Sequence, residues 1–295
     1  MNLIDFSKIK LDVNAFANVS DEVETHYNFN DGCILHPHWV KDSAKNFNTI
    51  SISKEFESLS WMGDGFPNTT TYTYSNEDRF NLAYFFATST LNSIDIQSGL
   101  YQFYAIDDVF SANIAKDRGV KIIEIGGGYG RLAIFFLLLF GKNCHYVNVD
   151  FVPTSLAFSP QIIGQLFPHL KVGGILDTSN NIEDYNYISL PAWNINKIKS
   201  KSYNLGVNIH SFQEMKNKST KFYIKQLAKA ISHSGYLYVI NNPPELNDWY
   251  TEHDYYGFEK YFDDYITRKY PIGADWKKIC GVNTLERIMI PKKTQ

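Results

Sequence analysis

Residues 124 to 150 carry the spacing of a ligand-binding turn. Glu124, Gly126, Gly128 and Gly130 fill the pattern E-x-G-x-G-x-G, Gly127 and Tyr129 lie inside it, and Asp150 follows roughly 20 residues on. Glycines at this density allow positive φ and let a ligand approach the backbone closely. A carboxylate that far downstream stands where a nucleotide-binding βαβ unit grips ribose hydroxyls. Phe151, next to it, can lie flat against a purine. Later in the chain, His210 and Glu214 stand four residues apart in IHSFQEM. Imidazole titrates near neutral pH and suits proton transfer, so His210 is the first candidate base. Glu214 has four open roles: orienting His210, acting as base, binding a metal, or capping a helix. His253 is a reserve base.

The elements that hold the first group are legible. Val120–Ile125 is β-branched and reads as a buried parallel strand. Leu132–Phe140 is apolar nearly all round and reads as a helix packed on a sheet, with Gly141 as its stop. His145–Val149 is the second strand, with Asp150 at its tip. The dinucleotide fingerprint fails because its third glycine falls on Arg131, and no G-K-[ST] follows for a P-loop. The pattern instead resembles motif I of class I S-adenosylmethionine methyltransferases. That cofactor carries no phosphate, so an open glycine turn suits its amino-acid end. The resemblance implies that Glu124 and the turn from Gly126 to Gly130 hold the cofactor. It also implies Asp150 on the ribose and Phe151 on the adenine face. Arg131 can reach the methionine carboxylate or pair with an acid from the preceding region.

The rest of the chain continues the alternation. Pro153 starts a helix running to about Phe167. Tyr187–Leu190 is the third strand, and its tip, Ser189 to Ala192, is where the resemblance puts adenine-edge contacts. Many relatives have an aspartate there; this chain has Ser189 and Leu190. Tyr203–Asn208 is the fourth strand, with Asn208 at its cofactor end. Thr220–Ser232 reads as an amphipathic helix and Gly235–Asn241 as the fifth strand. Asn242 to Tyr270 is an aromatic insertion, whose Trp249, Tyr250, Tyr255 and Tyr256 either stack on a sugar ring or pack the insertion down. Trp276–Val282 and Leu285–Ile290 form a final antiparallel pair. The expected fold class is α/β, a Rossmann-like seven-stranded sheet at residues 106–295 behind a mostly helical, substrate-facing cap at 1–105.

A narrower likeness rests on IIEIGGGYGRLA, YVNVDFVPTSL, YNLGVNIHSFQEM and YLYVINNPP. Together these resemble a family of sugar O-methyltransferases encoded with bacterial surface-glycan biosynthesis. The likeness spans roughly Tyr101 to Ile290, and SFQEM is its most specific part. It implies S-adenosyl-L-methionine as cofactor and a sugar, sugar nucleotide or glycan as acceptor. Two other readings stay open: a methyltransferase for a non-sugar small molecule, and a non-catalytic cofactor-binding partner subunit.

Composition narrows the setting. At 295 residues and 44% hydrophobic content, the chain can bury a sizeable core. A net charge of −3 argues against a phosphate-neutralising surface and so against a nucleic-acid partner. The cysteines, Cys33, Cys144 and Cys280, are scattered, with neither disulfide nor zinc spacing. Charges interrupt the N-terminal segment where a signal peptide is apolar, and the longest apolar helix is too short for a bilayer. The expectation is a cytoplasmic protein without a transmembrane segment. Oligomeric state and metal requirement are left open by the sequence.

Overall fold

The computed structural model describes residues 119–175, 177, 181–215, 217–241, 257–268 and 285–293, together with positions 12, 19, 22, 99, 102, 103, 105 and 106. His253, Trp249, Tyr250, Tyr255, Tyr256, Trp276–Val282 and nearly all of the expected cap lie outside the described residues.

Strand β1 is Val120–Ile125, helix α1 Arg131–Phe140, strand β2 Cys144–Asp150 and helix α2 Pro153–Leu166. A two-residue strand β3, Val172–Gly173, precedes β4 at Tyr187–Pro191 and β5 at Tyr203–Ile209. Helix α3, Asn217–Ala230, passes directly into β6, Ile231–Asn241, and β7 (Phe262–Arg268) and β8 (Leu285–Pro291) complete the sheet. The strand order is β3-β4-β2-β1-β5-β6-β8-β7. The pairings from β3 to β6 are parallel, and β8 runs antiparallel to both β6 and β7.

The burial explains the sequence patterns. Every residue of β2 and β4 is buried, as expected for central parallel strands covered on both faces. Leu132 through Leu137 of α1 are all buried, so that helix has no solvent stripe in its first two turns. Gly130 starts α1 at φ 86° and Gly141 closes it at φ 53°. Both glycines therefore sit where a side chain is disfavoured.

Three expectations need correction. The sheet has eight strands in the described residues, because the edge strand β3 is too short to leave a period in the sequence. The strand at Tyr187 is therefore fourth in sequence, not third. The partner of β8 is Phe262–Arg268, from the stretch read as an aromatic insertion. Burial of Phe262 beside exposed Asp263, and an exposed Tyr265, mark an edge strand with one face on the core. Finally, α3 ends at Ala230, and Ile231 already pairs with Tyr203 before a register shift carries the ladder on to Tyr236.

At the amino-terminal ends of the strands lies a polar cavity of about 530 Å³. Buried His145 meets the Tyr185 carbonyl at 2.7 Å and the Tyr203 hydroxyl at 3.3 Å. Lys121 pairs with Glu183 beside them. Burial pushes His145 below its ordinary range, against the pull of the Tyr185 carbonyl and Glu183. This end is opposite to the glycine turn. Among the described residues no helix is long and apolar enough to cross a membrane.

Candidate cofactor and methyl-transfer site

The turn from Gly126 to Gly130 joins β1 to α1, and its four glycine amides bond within the protein. Gly126 N–H donates to the Val149 carbonyl at 2.8 Å, and Gly130 N–H to the Gly127 carbonyl at 3.1 Å. Gly127 N–H donates to Asn148 Oδ1 at 3.1 Å, and Gly128 N–H to Asp150 Oδ2 at 3.1 Å. A phosphate-cradling turn presents such amides to its ligand. Here they are committed inward, so this turn is not built as a phosphate cradle.

Its two middle glycines have opposite surroundings. At Gly128, φ is +56° and, among the described residues, no atom lies within 4 Å of where a Cβ would stand. The described residues leave the space above the turn open there. At Gly127 a Cβ would fall 2.4 Å from Glu124 Oε2 and 2.6 Å from Asn148 Oδ1. The turn presses down on these two side chains. Glu124, expected among the ligand contacts, is instead buried beneath the turn, where Tyr146 donates to it at 2.5 Å. Burial raises its carboxyl to about 7, against the Tyr146 bond that lowers it, with Asp150 adding a smaller rise.

Asp150 closes the other side. Its Oδ1 accepts from Phe151 N–H at 2.7 Å and Val152 N–H at 2.9 Å. Burial lifts this carboxyl above its ordinary value, opposed by the amides of Val152, Phe151 and Gly128 and the Ser155 hydroxyl. Phe151 packs edge-to-face on Trp193, with ring centroids 5.8 Å apart. Trp193 follows directly on the stretch expected to contact adenine, which ended one residue short of it. Ser189 and Leu190 lie in the body of β4, fully buried. The strand runs to Pro191, so its tip is Pro191 to Trp193, and the side chains of Ser189 and Leu190 belong to the core.

The loop after β5 completes this edge of the sheet. Asn208 is buried and its side chain is spent internally. It donates to the Ile125 carbonyl at 2.9 Å and to Ser211, and accepts from Asn241 at 2.9 Å and from Phe212 N–H at 3.3 Å. It is thus a clamp between β1, β5 and β6 rather than a direct contact. Ser211 donates to the Ile125 carbonyl at 3.0 Å, and Asn241 accepts from Gln213 N–H at 3.2 Å. These bonds bring His210 to the same edge as the glycine turn.

His210 stands one residue past β5 at φ +59°, with its N–H bonded to the Ile240 carbonyl at 2.7 Å. Positive φ is uncommon outside glycine, and histidine is, with asparagine and aspartate, among the residues that adopt it most readily. Burial, then the Arg131 guanidinium, push its imidazole down to about 4, opposed by Gln213. The near-neutral titration expected from the sequence is therefore overturned by the surroundings. The imidazole is neutral at pH 7, with its proton-accepting form fully populated. Arg131, lowered to about 10 by burial, donates to Gln102 at 3.1 Å, which ties residue 102 to the site. Glu214 ends the short helical turn Phe212–Glu214. Among the described residues no three His, Cys, Asp or Glu side chains converge as metal ligands.

No protein-family model matches the chain. No curated protein matches it either. Among solved structures, the chain is similar to geranyl diphosphate C-methyltransferase from Streptomyces coelicolor A3(2), at 10% identity over 88% of this chain and 99% of that one, with a TM-score of 0.50. That structure was solved with Mg2+, geranyl-S-thiolodiphosphate and S-adenosyl-L-homocysteine. A geranyl diphosphate methyltransferase in complex with GPP and sinefungin gives the same TM-score of 0.50 at 8% identity, over 87% and 99% of the two chains. The fold is that of the class I methyltransferases. In this chain a βαβ unit carries the glycine turn near the middle of a mostly parallel sheet. A TehB-like SAM-dependent methyltransferase from Corynebacterium glutamicum matches over 65% of this chain and 88% of its own, at 12% identity and a TM-score of 0.44.

Proposed function

We propose that this protein is an S-adenosyl-L-methionine-dependent O-methyltransferase whose acceptor is a sugar hydroxyl. One observation carries the cofactor half of this reading. The glycine turn spends its glycine amides on the protein, is left open above Gly128 by the described residues and stands beside Asp150. That suits an adenosyl ligand with ribose hydroxyls and no phosphate. Asp150 would take the hydroxyls, Phe151 and Trp193 would wall the adenine, and Arg131 would face the methionine carboxylate. The bound cofactor supplies an electrophilic methyl group.

The chain's own residues then have two tasks, alignment and proton removal. A sugar hydroxyl must lose its proton as the new C–O bond forms. His210, neutral at physiological pH, is the group assigned to accept it. The clamp of Asn208, Ser211 and Asn241 fixes its backbone at that position. The sugar acceptor rests on the four-segment resemblance, with SFQEM as its narrowest part.

Titration calorimetry with S-adenosylhomocysteine, followed by transfer of labelled methyl to a panel of sugar nucleotides, tests both halves. Binding and transfer to a sugar are expected. Transfer only to non-sugar acceptors would refute the acceptor and keep the enzyme. Binding without transfer until a partner protein is added would reassign the chain as a cofactor-binding subunit. Absence of binding would remove the cofactor reading altogether.

A further inference from the structure

Asn148 lies between Val147 and Val149, is fully buried, and stands beside Glu124 in the register of β1 and β2. Its oxygen accepts from Gly127 N–H at 3.1 Å. Its nitrogen donates to the Gly128 carbonyl at 2.8 Å and to the Tyr187 hydroxyl at 3.0 Å. The amide orientation follows from these partners, because a backbone N–H needs an oxygen and a carbonyl needs a donor. Tyr187 stacks on Tyr146 with centroids 6.1 Å apart, and Tyr146 holds Glu124. A Cβ at Gly130 would stand 3.1 Å from the Tyr187 hydroxyl. A column of polar groups therefore supports the turn from below, from Gly127 to the start of α1.

Asp150 grips the same turn through Gly128 N–H. In the cofactor reading above, on which this inference rests, that carboxylate also receives the ribose hydroxyls. Ligand and turn then draw on one group. We propose that Asn148 is a positioning residue that keeps Gly127 and Gly128 in their binding shape while Asp150 engages the cofactor. It touches no ligand. It fixes the direction of the Gly127 N–H and the Gly128 carbonyl, and so the width of the opening above Gly128.

The test compares Asn148→Ala and Tyr187→Phe with wild type by two measurements. One is calorimetry with S-adenosylhomocysteine. The other is amide hydrogen exchange, read by nuclear magnetic resonance in the unliganded full chain. Asn148→Ala should bind the probe about 10–100-fold more weakly, the loss expected when its two hydrogen bonds to the turn go. Exchange at Gly127 should accelerate by about 10-fold or more, while Gly126, held by the Val149 carbonyl, keeps its protection. Tyr187→Phe keeps the stacked ring and removes one partner of Asn148, so it should show the same pattern at about 2–5-fold. It decides the matter if Asn148→Ala does not fold. Unchanged affinity with unchanged Gly127 exchange would overturn the proposal. Equal acceleration at Gly126 and Gly127 would also overturn it, by showing general loosening. Should wild type fail to bind the probe, the cofactor reading falls, and Gly127 exchange alone still decides what Asn148 does.

Discussion

Ser211 lies against Gly126, with its Cβ and Oγ 2.4 Å from the point where a Cβ of residue 126 would stand. The β5 loop and the glycine turn thus share one contact, closed by the Ser211 bond to the Ile125 carbonyl at 3.0 Å. Gly126 also holds φ at +72°. Gly126→Ala should therefore destabilise the fold by about 1–3 kcal/mol through overpacking and backbone strain. Adding Ser211→Gly should recover part of that loss, leaving the strain. Urea unfolding of the two single variants and the double variant measures the coupling. Strictly additive losses would show that the two residues do not press on each other.

Asp150 makes both a structural and a binding prediction. The sequence alone suggests that Asp150→Ala leaves the fold intact, because the acid sits at a strand tip. The carboxylate in fact accepts from Gly128, Phe151 and Val152 N–H groups. Asp150→Ala should weaken S-adenosylmethionine binding by roughly 1.5–3 kcal/mol and also lower stability by about 1–3 kcal/mol. Calorimetry and unfolding on the same preparations check the pair. Unchanged affinity in a folded variant would remove the ribose assignment.

For His210, the lowered imidazole resets the expected pH profile. The base is active when neutral, so turnover should rise as pH increases through about 4 and stay flat across neutrality. His210→Asn is a cleaner probe than alanine, since asparagine tolerates the φ of +59°. It should lower turnover by about 10²–10⁴-fold with cofactor affinity near wild type. A rate limb near pH 6.5 in the wild type, absent from the variant, would mean that the acceptor complex restores ordinary imidazole basicity.

Glu124 and His210 should also oppose each other in stability. Glu124 rises from 4.5 to about 7, so the folded state keeps a proton that the unfolded chain loses. Its contribution is full below pH 4.5 and is lost as pH rises towards 7. His210 falls from 6.5 to about 4, so the folded state refuses a proton that the unfolded chain takes. Its contribution is full above pH 6.5 and is lost as pH falls towards 4. Between pH 4.5 and 6.5 the two slopes oppose. Glu124→Gln should make stability rise with pH more steeply than in wild type across that window. His210→Asn should tilt it the other way. Urea midpoints measured from pH 4 to 7 give both slopes, and parallel curves for all three proteins would refute the assignment.

The order strand, glycine turn, helix, strand and acid was legible from Val120 to Asp150 because each signal there is local. Glycine spacing, β-branched runs and an all-apolar helix are properties of consecutive residues. The observed elements there differ from the expected ones by no more than one residue at any end. Asn148 and Asn208 left a trace as well, since each is a polar residue with an apolar neighbour on either side in its strand. Such a residue must find partners once buried, and that rule predicts an internal role rather than a ligand contact.

What the tertiary structure decided depends on groups far apart in sequence. The pairing of β8 with Phe262–Arg268 is a contact across the sheet, and the alternation in that stretch was masked by its aromatic content. The edge strand β3 is two residues long and exists through its partner β4. The fates of Glu124, Ser189 and Asn208 turn on which face of the sheet α1 covers and where the strands end. The protonation of His210 is set by burial and by Arg131, 79 positions earlier in the chain. Sequence by itself determined that a βαβ unit presents an open glycine turn beside an acid. Only the packed sheet determined which polar side chains reach into that opening and which hold it up from below, because burial and hydrogen-bond partners are assigned by neighbours in space.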